Sequence, residues 1–163
     1  MILVLYFVHS SSMGGAPLSL LYLLQRLDRQ RYDPTVVFPS DSSLRRKFEE
    51  HQISTLVSRR MGYFSHTTLE SISFGKPRSW LQIIRFVPSV IQAHRLVRRL
   101  SPDIVHLNSS TLAPQVIGSK LAGAKVIWHI REPILDGLLG LRKALLRLIA
   151  RRFTDAIVVI LKG

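Results

Sequence analysis

Two adjacent glycines, Gly14 and Gly15, lie in a short polar loop near the start of the chain. The apolar run before the loop, residues 2–8, is typical of a strand buried on both faces, and Pro17 suits the first turn of a following helix. This order brings backbone N–H groups and the positive end of a helix dipole together, where they can bind a phosphate or another anion. The loop matches neither the dinucleotide-binding pattern nor the P-loop pattern, and a tight turn without a ligand is the alternative.

Polar side chains also follow two later apolar runs. Residues 108–111 come directly after an apolar run at 103–107, and residues 129–132 end another at 125–130. In sheets of parallel strands, ligands bind where loops leave the carboxyl ends of the strands. We therefore predict one functional site, built from the glycine loop and these two polar segments.

The elements that would position this site follow from the alternation of apolar runs and helical patterns. We predict six strands, at residues 2–8, 34–38, 53–57, 103–107, 125–130 and 156–161. We predict five helices, at residues 18–27, 44–51, 80–100 with a kink at Pro88, 112–121 and 138–153. Strands separated by helices, without alternation of apolar and polar residues, indicate a three-layer α/β fold with a doubly wound parallel sheet. Residues 58–78 have no clear period and are predicted to form a long, mobile loop.

Composition limits the possible classes. A chain of 163 residues with 47% hydrophobic residues is expected to fold as one domain with a real core. Cysteine is absent, which excludes disulfides and thiolate metal sites and fits a cytoplasmic protein. The formal charge of +13 predicts an anionic partner, such as nucleic acid, phospholipid head groups or phosphorylated substrates. No run is long and apolar enough to be read as a membrane-spanning helix, and the N-terminal run lacks the basic start of a signal peptide.

Three motifs in matching order resemble the N-terminal domain of glycosyltransferase family 4. The motifs are the glycine loop at 13–17 with its leucine-rich helix, the segment PDIVHLNS at 102–109, and the segment VIWHIRE at 126–132. Members of this family are retaining enzymes of the two-domain GT-B architecture, and their N-terminal domain mainly binds the acceptor. The resemblance implies that residues 1–163 form the Rossmann-like half of a GT-B fold.

The resemblance also implies roles for the site residues. Gly14, Gly15 and Ala16 would lie near the diphosphate of the sugar donor, with backbone amides stabilising the departing negative charge. His129 matches a histidine near the transferred sugar and is the predicted catalytic residue, which would bind a sugar hydroxyl or donate to developing charge. The alternative for His129 is that it caps the end of its strand.

Four further residues would line the acceptor side: Asn108, Ser109, Arg131 and Glu132. For the first two, the alternative is that they cap the helix beginning near Leu112. For Arg131 and Glu132, the alternative is an ion pair within their loop. His9 and His106 are expected to be structural.

The family's second domain carries the nucleotide-sugar pocket, with two glutamates in an E-x7-E pattern. That domain is not present in this sequence, and the chain alone is therefore expected to be inactive. We expect no metal and no cofactor, with a nucleotide sugar as the co-substrate of the complete enzyme. The implied partners are a sugar or lipid-linked acceptor and a C-terminal donor domain, supplied by the same or a separate chain.

The last long helix carries five basic residues and no acidic residue. They are Arg142, Lys143, Arg147, Arg151 and Arg152. A basic amphipathic helix of this kind can associate with an anionic membrane surface, and the alternative is an ordinary covering helix. Its apolar stripe consists of Leu138, Leu141, Leu145, Leu148 and Ile149. We expect this stripe to pack inward while the basic residues face outward. This predicts a cytoplasmic protein, peripheral on the inner face of the membrane.

Two other functions remain open at this point. The charge alone would also fit a nucleic-acid-binding module, but no binding motif is present and exposed aromatic residues do not alternate with the basic ones. A Rossmann-like binding or scaffold subunit is the second alternative.

Overall fold

A computed structural model describes residues 1–59, 61–62, 77–131 and 141–160, with the backbone alone at 77–83 and 141–142. The strands are β1 (Ile2–Phe7), β2 (Tyr32–Phe38), β3 (Ser54–Val57), β4 (Ile104–Leu107), β5 (Lys125–Ile130) and β6 (Ala156–Val159). The helices are α1 (Gly15–Gln25), α2 (Ser43–Glu50), α3 (Pro77–Leu100), α4 (Ala113–Leu121) and α5 (Leu141–Phe153), and a short 3₁₀ turn (Ser110–Leu112) precedes α4. The described elements follow the predicted order closely.

The six strands form one sheet in the order β3-β2-β1-β4-β5-β6, and every neighbouring pair is parallel. The predicted doubly wound Rossmann-like α/β fold is confirmed. The strand order reverses between β1 and β4, which are neighbours although β2 and β3 lie between them in the sequence. Loops that leave the carboxyl ends of these two strands diverge to opposite faces and open a crevice where ligands bind in such sheets.

One face of the sheet packs against α1 and α2. The leucines of α1 at 20, 21 and 24 are buried against alternate residues of β1 and β2, among them Val4, Tyr6 and Phe38. At the start of α2, the Ser42 side chain accepts a hydrogen bond of 3.2 Å from the Arg45 N–H. This cap pairs a backbone donor at the start of the helix that was predicted at residues 44–51.

The other face packs against α3, α4 and α5. Phe7, Leu107 and the fully buried Trp128 lie in the centre of this second core. The two helices α3 and α4 approach closely at Gly118. A Cβ added there would lie only 2.4 Å from the Val90 carbonyl oxygen of α3. Gly118 is therefore required by packing, since any side chain there would separate the helices.

The inward stripe predicted for α5 is only partly correct. Ile149, which belonged to the predicted stripe, is 2% exposed and packs in the core, but Leu145 and Leu148 are 41% and 61% exposed. Leu146, which was not predicted to face inward, is 2% exposed and packs in the core beside Ile149. The outward surface of α5 is consequently both basic and apolar.

The start of the loop predicted at 58–78 is anchored. The Ser58 N–H donates to the Phe38 carbonyl oxygen at 2.8 Å, and the Gly62 N–H donates to Ser89 Oγ at 2.8 Å. The Gly62 carbonyl oxygen accepts from Gln115 Nε2 at 2.7 Å. Residues 60 and 63–76 lie outside the described residues, as does residue 138 of the predicted last helix. Within the described part of the chain, none of the helices has the length and apolarity needed to cross a bilayer.

Candidate functional site at the carboxyl edge of the sheet

The glycine loop connects β1 to α1 at the carboxyl edge of the sheet. Gly14 is the N-cap residue of α1 and has extended backbone angles, φ −151° and ψ 169°, and no side chain caps this helix. Pro17 has no N–H, so the first-turn donors of α1 are the amides of Gly14, Gly15 and Ala16. Gly15 is exposed. The predicted anion site would use these amides and the dipole of α1.

Serine side chains hold this loop in place. Ser10 and Ser12 share a hydrogen bond of 2.7 Å, and Ser40 donates through its hydroxyl to Ser11 Oγ at 2.7 Å. Ser40 lies in the loop after β2, so the loops of two neighbouring strands are joined. The glycine loop therefore has a defined conformation before any ligand binds.

Asn108, at the end of β4, connects the glycine loop to the end of β5. Its side chain is 1% exposed and uses both ends of the amide. Asn108 Nδ2 donates to the Ala16 carbonyl oxygen at 3.1 Å, and Asn108 Oδ1 accepts from Arg131 Nε at 3.0 Å. One buried amide thus joins the three loops that were predicted to form the site.

Arg131 continues this connection to His129. Arg131 Nη2 lies 3.4 Å from His129 Nδ1. A guanidinium has donors and no acceptor, so His129 Nδ1 must be the acceptor in this contact, and a neutral His129 ring then carries its proton on Nε2. His129 is half-buried and its Nε2 atom is buried, so a ligand can reach this nitrogen only if the side chain moves.

His106 packs directly against His129. The two rings are stacked, with centroids 5.7 Å apart and an interplanar angle of 15°. On the other side, the His106 ring contacts the Tyr6 ring with centroids 5.1 Å apart. Burial, together with the charges of His129 and Arg131, lowers the pKa of His106 to about 4, and burial raises the pKa of Tyr6. His106 is therefore neutral at physiological pH.

The sequence predicted a structural role for His106 but missed its contact with His129. In the register of β4 and β5, His106 pairs with Ile127, so His129 lies two residues further along the same face. Aligning the two predicted strands from their first residues would have paired His106 with Trp128 and put His129 on the opposite face, so only the observed register brings the rings together. The bridging role of Asn108 had no comparable signal, because it depends on side-chain contacts across three loops.

Ser109 is fully buried and acts as a cap. Its hydroxyl accepts from the Thr111 N–H at 3.2 Å, at the start of the 3₁₀ turn. Its carbonyl oxygen accepts from Trp128 Nε1 at 2.8 Å. These contacts correspond to the capping alternative of the sequence analysis.

The structure describes only some of the remaining predicted residues, which are Glu132 and the basic residues of α5. Glu132 and the side chain of Arg142 lie outside the described residues. Arg147, Arg151 and Arg152 are exposed on α5, and Lys143 is half-buried. Across residues 1–59, 61–62, 77–131 and 141–160, no group of three or more His, Cys, Asp or Glu side chains is arranged to hold a metal ion.

Comparison with known proteins gives the family. A match to Glycosyltransferase Family 4 extends over residues 13–161, which is most of the chain. The chain belongs to this family. The resemblance carried by the glycine loop and the two later motifs is thereby confirmed. No curated protein matches the sequence.

Two solved structures share the fold of this family 4 chain. HepE of Anabaena, in complex with UDP and glucose, has a TM-score of 0.63 and 18% sequence identity, covering 94% of this chain and 37% of that protein. MurG of Acinetobacter baumannii has a TM-score of 0.64 and 13% identity, covering 100% of this chain and 42% of that protein. The chain thus spans less than half the length of both, and its fold is the Rossmann-like half of a GT-B fold.

Proposed function

We propose that this chain is the acceptor-binding half of a retaining glycosyltransferase. The complete enzyme would transfer a sugar from a nucleotide sugar to a glycan or lipid-linked acceptor. The observation that carries the proposal is the continuous connection from Ala16 through Asn108 and Arg131 to His129. In this proposal, the connection joins a helix terminus that would bind an anion to a histidine that would donate a hydrogen bond, both at one edge of the sheet.

The chemistry follows from the two ends of that connection. The departing nucleoside diphosphate gains negative charge as the glycosidic bond to the donor breaks, and the amides of Gly14, Gly15 and Ala16 would stabilise it. After a movement of its side chain that exposes Nε2, His129 would donate from this atom to a hydroxyl of the transferred sugar or to developing negative charge. Asn108 would hold the glycine loop and the Arg131 side chain in a fixed relation, which is the preorganisation that electrostatic catalysis needs.

Transfer would also need a donor-binding half. The two solved relatives are more than twice as long as this chain, which covers 37% and 42% of them. In this proposal the nucleotide and most of the sugar contact the second half, in the same polypeptide or in a partner. The 163 residues alone would then lack both transferase and nucleotide-sugar hydrolase activity.

The test compares two preparations with a panel of nucleotide sugars. One is the 163-residue chain, and the other is the same chain fused to the C-terminal half of a family 4 enzyme. We expect turnover only from the fusion, with retention of the anomeric configuration in the product. Turnover by the chain alone would contradict the requirement for a separate donor-binding half. A folded but inactive fusion would favour a binding or scaffold subunit.

The same proposal includes a membrane-associated acceptor. Arg147, Arg151 and Arg152 are exposed on α5 together with Leu145 and Leu148. Basic side chains attract anionic lipid at about 1 kcal/mol each, and exposed leucines can enter the interface between headgroups and acyl chains. The outward surface of α5 would therefore hold the domain peripherally on an anionic membrane.

A further inference from the structure

A second basic region lies away from α5, in a cleft between the carboxyl end of β3 and α3. The cleft has a volume of about 510 Å³. Arg59, which follows β3, and Arg95 and Arg99 of α3 line it, and neither Asp nor Glu is among the described residues that line it. Three guanidinium groups thus converge on one concave surface.

The three arginines are available to a ligand. All three are exposed. Within the described part of the chain, the ion pairs are those of Arg45 with Asp41 and Glu49 and of Lys120 with Asp155, so none involves the cleft. Unneutralised like charges in a concave site attract an anion strongly, because the walls focus the field.

The walls of the cleft are fixed by hydrogen bonds. Gln92 Nε2 of α3 donates to Ser58 Oγ at 2.9 Å, which ties the helix to the end of β3. The Ser58 N–H is bonded in turn to the carbonyl oxygen of Phe38, at the end of β2. Arg95 and Arg99 are four residues apart and lie on the same side of α3. The backbone elements that form the cleft are therefore fixed relative to one another, while the long arginine side chains can change rotamer.

An apolar stripe on α3 leads to this cleft. Ile84, Val87 and Ile91 are 67%, 62% and 44% exposed. Their spacing of three and four residues places them on one side of the helix, and Arg95 continues that stripe four residues further on. A ligand with a phosphate group and an apolar part would meet both features at once.

We propose that the arginine cleft binds the phosphate group of an anionic phospholipid while the α3 stripe contacts the membrane surface beside it. Guanidinium groups form paired, charge-assisted hydrogen bonds with phosphate oxygens, which an isolated surface charge cannot do. Helices α3 and α5 pack in the same core on the same face of the sheet, so both outward surfaces can face one bilayer. This inference rests on the peripheral association proposed above, to which it adds a specific lipid contact, and it does not depend on sugar transfer.

The test measures binding of the 163-residue chain to phosphatidylcholine vesicles with and without phosphatidic acid. The cleft variant is Arg95→Glu with Arg99→Glu, and the stripe variant is Ile84→Ser with Ile91→Ser. The matched control is Arg26→Glu with Arg46→Glu, which makes the same change in net charge at exposed positions of the opposite face. All substituted side chains are exposed, and thermal unfolding of each variant checks that the fold is retained.

We expect the cleft variant to lower binding to phosphatidic acid vesicles about tenfold or more beyond the control, since two attractions become repulsions. The stripe variant should lower it by a smaller factor. Equal losses in the cleft variant and the control would overturn the proposal, because charge alone would then explain binding. A cleft variant that loses affinity for soluble glycerol 3-phosphate or for duplex DNA while keeping its vesicle binding would also overturn it. A separate variant with Arg147→Glu and Arg151→Glu tests the α5 surface alone. Vesicle binding by the two variants therefore shows which of the two surfaces contributes to membrane association.

Discussion

The imidazole rings of His106 and His129 lie parallel across neighbouring strands, with centroids 5.7 Å apart. Tyr6 of β1 contacts the other side of the His106 ring, and Arg131 contacts His129. Three adjacent strands thus contribute aromatic rings to one row beneath the site. Within the described residues, His106 Nε2 is buried without a hydrogen-bond partner, so the ring is held there by packing.

The half-buried His106 should make the fold sensitive to acid. Its pKa is lowered from 6.5 to about 4, chiefly by burial and then by His129 and Arg131. Below the unfolded pKa of 6.5, the unfolded chain binds a proton at this position that the folded chain does not bind, so stability falls as the pH drops toward the folded pKa. When the pH falls from about 7 to about 4.5, titration of His106 alone should lower the free energy of unfolding by about 2 kcal/mol. Denaturant unfolding at the two pH values measures the loss.

The matched variant is His106→Phe, which keeps an aromatic ring of similar size but does not titrate. Its loss of stability over the same pH range should be smaller by about 2 kcal/mol. Parallel losses in the two proteins would show that other groups cause the acid sensitivity.

The second prediction concerns the buried Asn108. Asn108→Ala removes its bonds to the Ala16 carbonyl oxygen and to Arg131 Nε. Leaving buried partners unsatisfied should lower the free energy of unfolding by about 1–3 kcal/mol. Asn108→Asp keeps an acceptor for Arg131 but cannot donate to Ala16, so it should lose order mainly in the glycine loop. Denaturant unfolding and hydrogen exchange of the Ala16 region check both changes, and unchanged exchange in both variants would argue against the connection.

The third prediction separates folding from function at Gly15. A Cβ built on Gly15 meets no atom within 4 Å, so Gly15→Val should leave the melting temperature of the chain nearly unchanged. In the fused enzyme the same variant should abolish turnover, because an isopropyl group would keep a diphosphate away from the backbone amides. The control is Gly118→Ala, which should destabilise the fold because its Cβ would lie 2.4 Å from a carbonyl oxygen. Normal turnover by the Gly15→Val variant would show that the glycine loop does not contact the diphosphate of the donor.

The fourth prediction tests His129 as the donating residue. In the fused enzyme, His129→Ala should lower turnover by about 10-fold or more, because it removes the hydrogen bond from Nε2 to the reacting sugar. Steady-state kinetics and thermal unfolding are measured on the same preparation. A loss of stability with normal specific activity would instead support a role limited to capping the strand.

The fifth prediction concerns the outward surface of α5. Reversing Arg147 and Arg151 to Glu should largely abolish binding to anionic vesicles, since each reversal turns an attraction into a repulsion. Binding of the unmodified chain should weaken as salt rises, because the Debye length is about 8 Å at physiological ionic strength and shorter above it. Co-sedimentation at two salt concentrations measures this, with duplex DNA as competitor. Equal binding to neutral and anionic vesicles would rule out the electrostatic mechanism, and much tighter binding to DNA would favour a nucleic-acid partner.

The fold could be predicted from the sequence because its strands are mostly apolar runs with clear ends. The predicted bounds of β5, residues 125–130, match the structure. Helix α5 shows where such reasoning fails: Leu145 and Leu146 are equally apolar, and only packing against the sheet decides that the second is buried. At the site, the glycine loop was predicted from its position after a strand, and His129 from its position near the end of β5 together with the family resemblance. The bridging amide of Asn108 and the arginine cleft beside β3 were not, because both arise from contacts between segments far apart in the chain.

The bond between Asn108 Nδ2 and the Ala16 carbonyl oxygen spans 92 positions of the sequence. Loop closure over such a distance carries an entropic cost that local contacts cannot offset early in folding. During synthesis β1, β2 and β3 leave the ribosome before Asn108 exists, so the glycine loop emerges without its anchor. The hydrogen bond that fixes the glycine loop therefore forms late, when β4 pairs with β1. A nascent chain that ends before Asn108 lacks this bond, and its glycine loop lacks the conformation proposed to bind an anion.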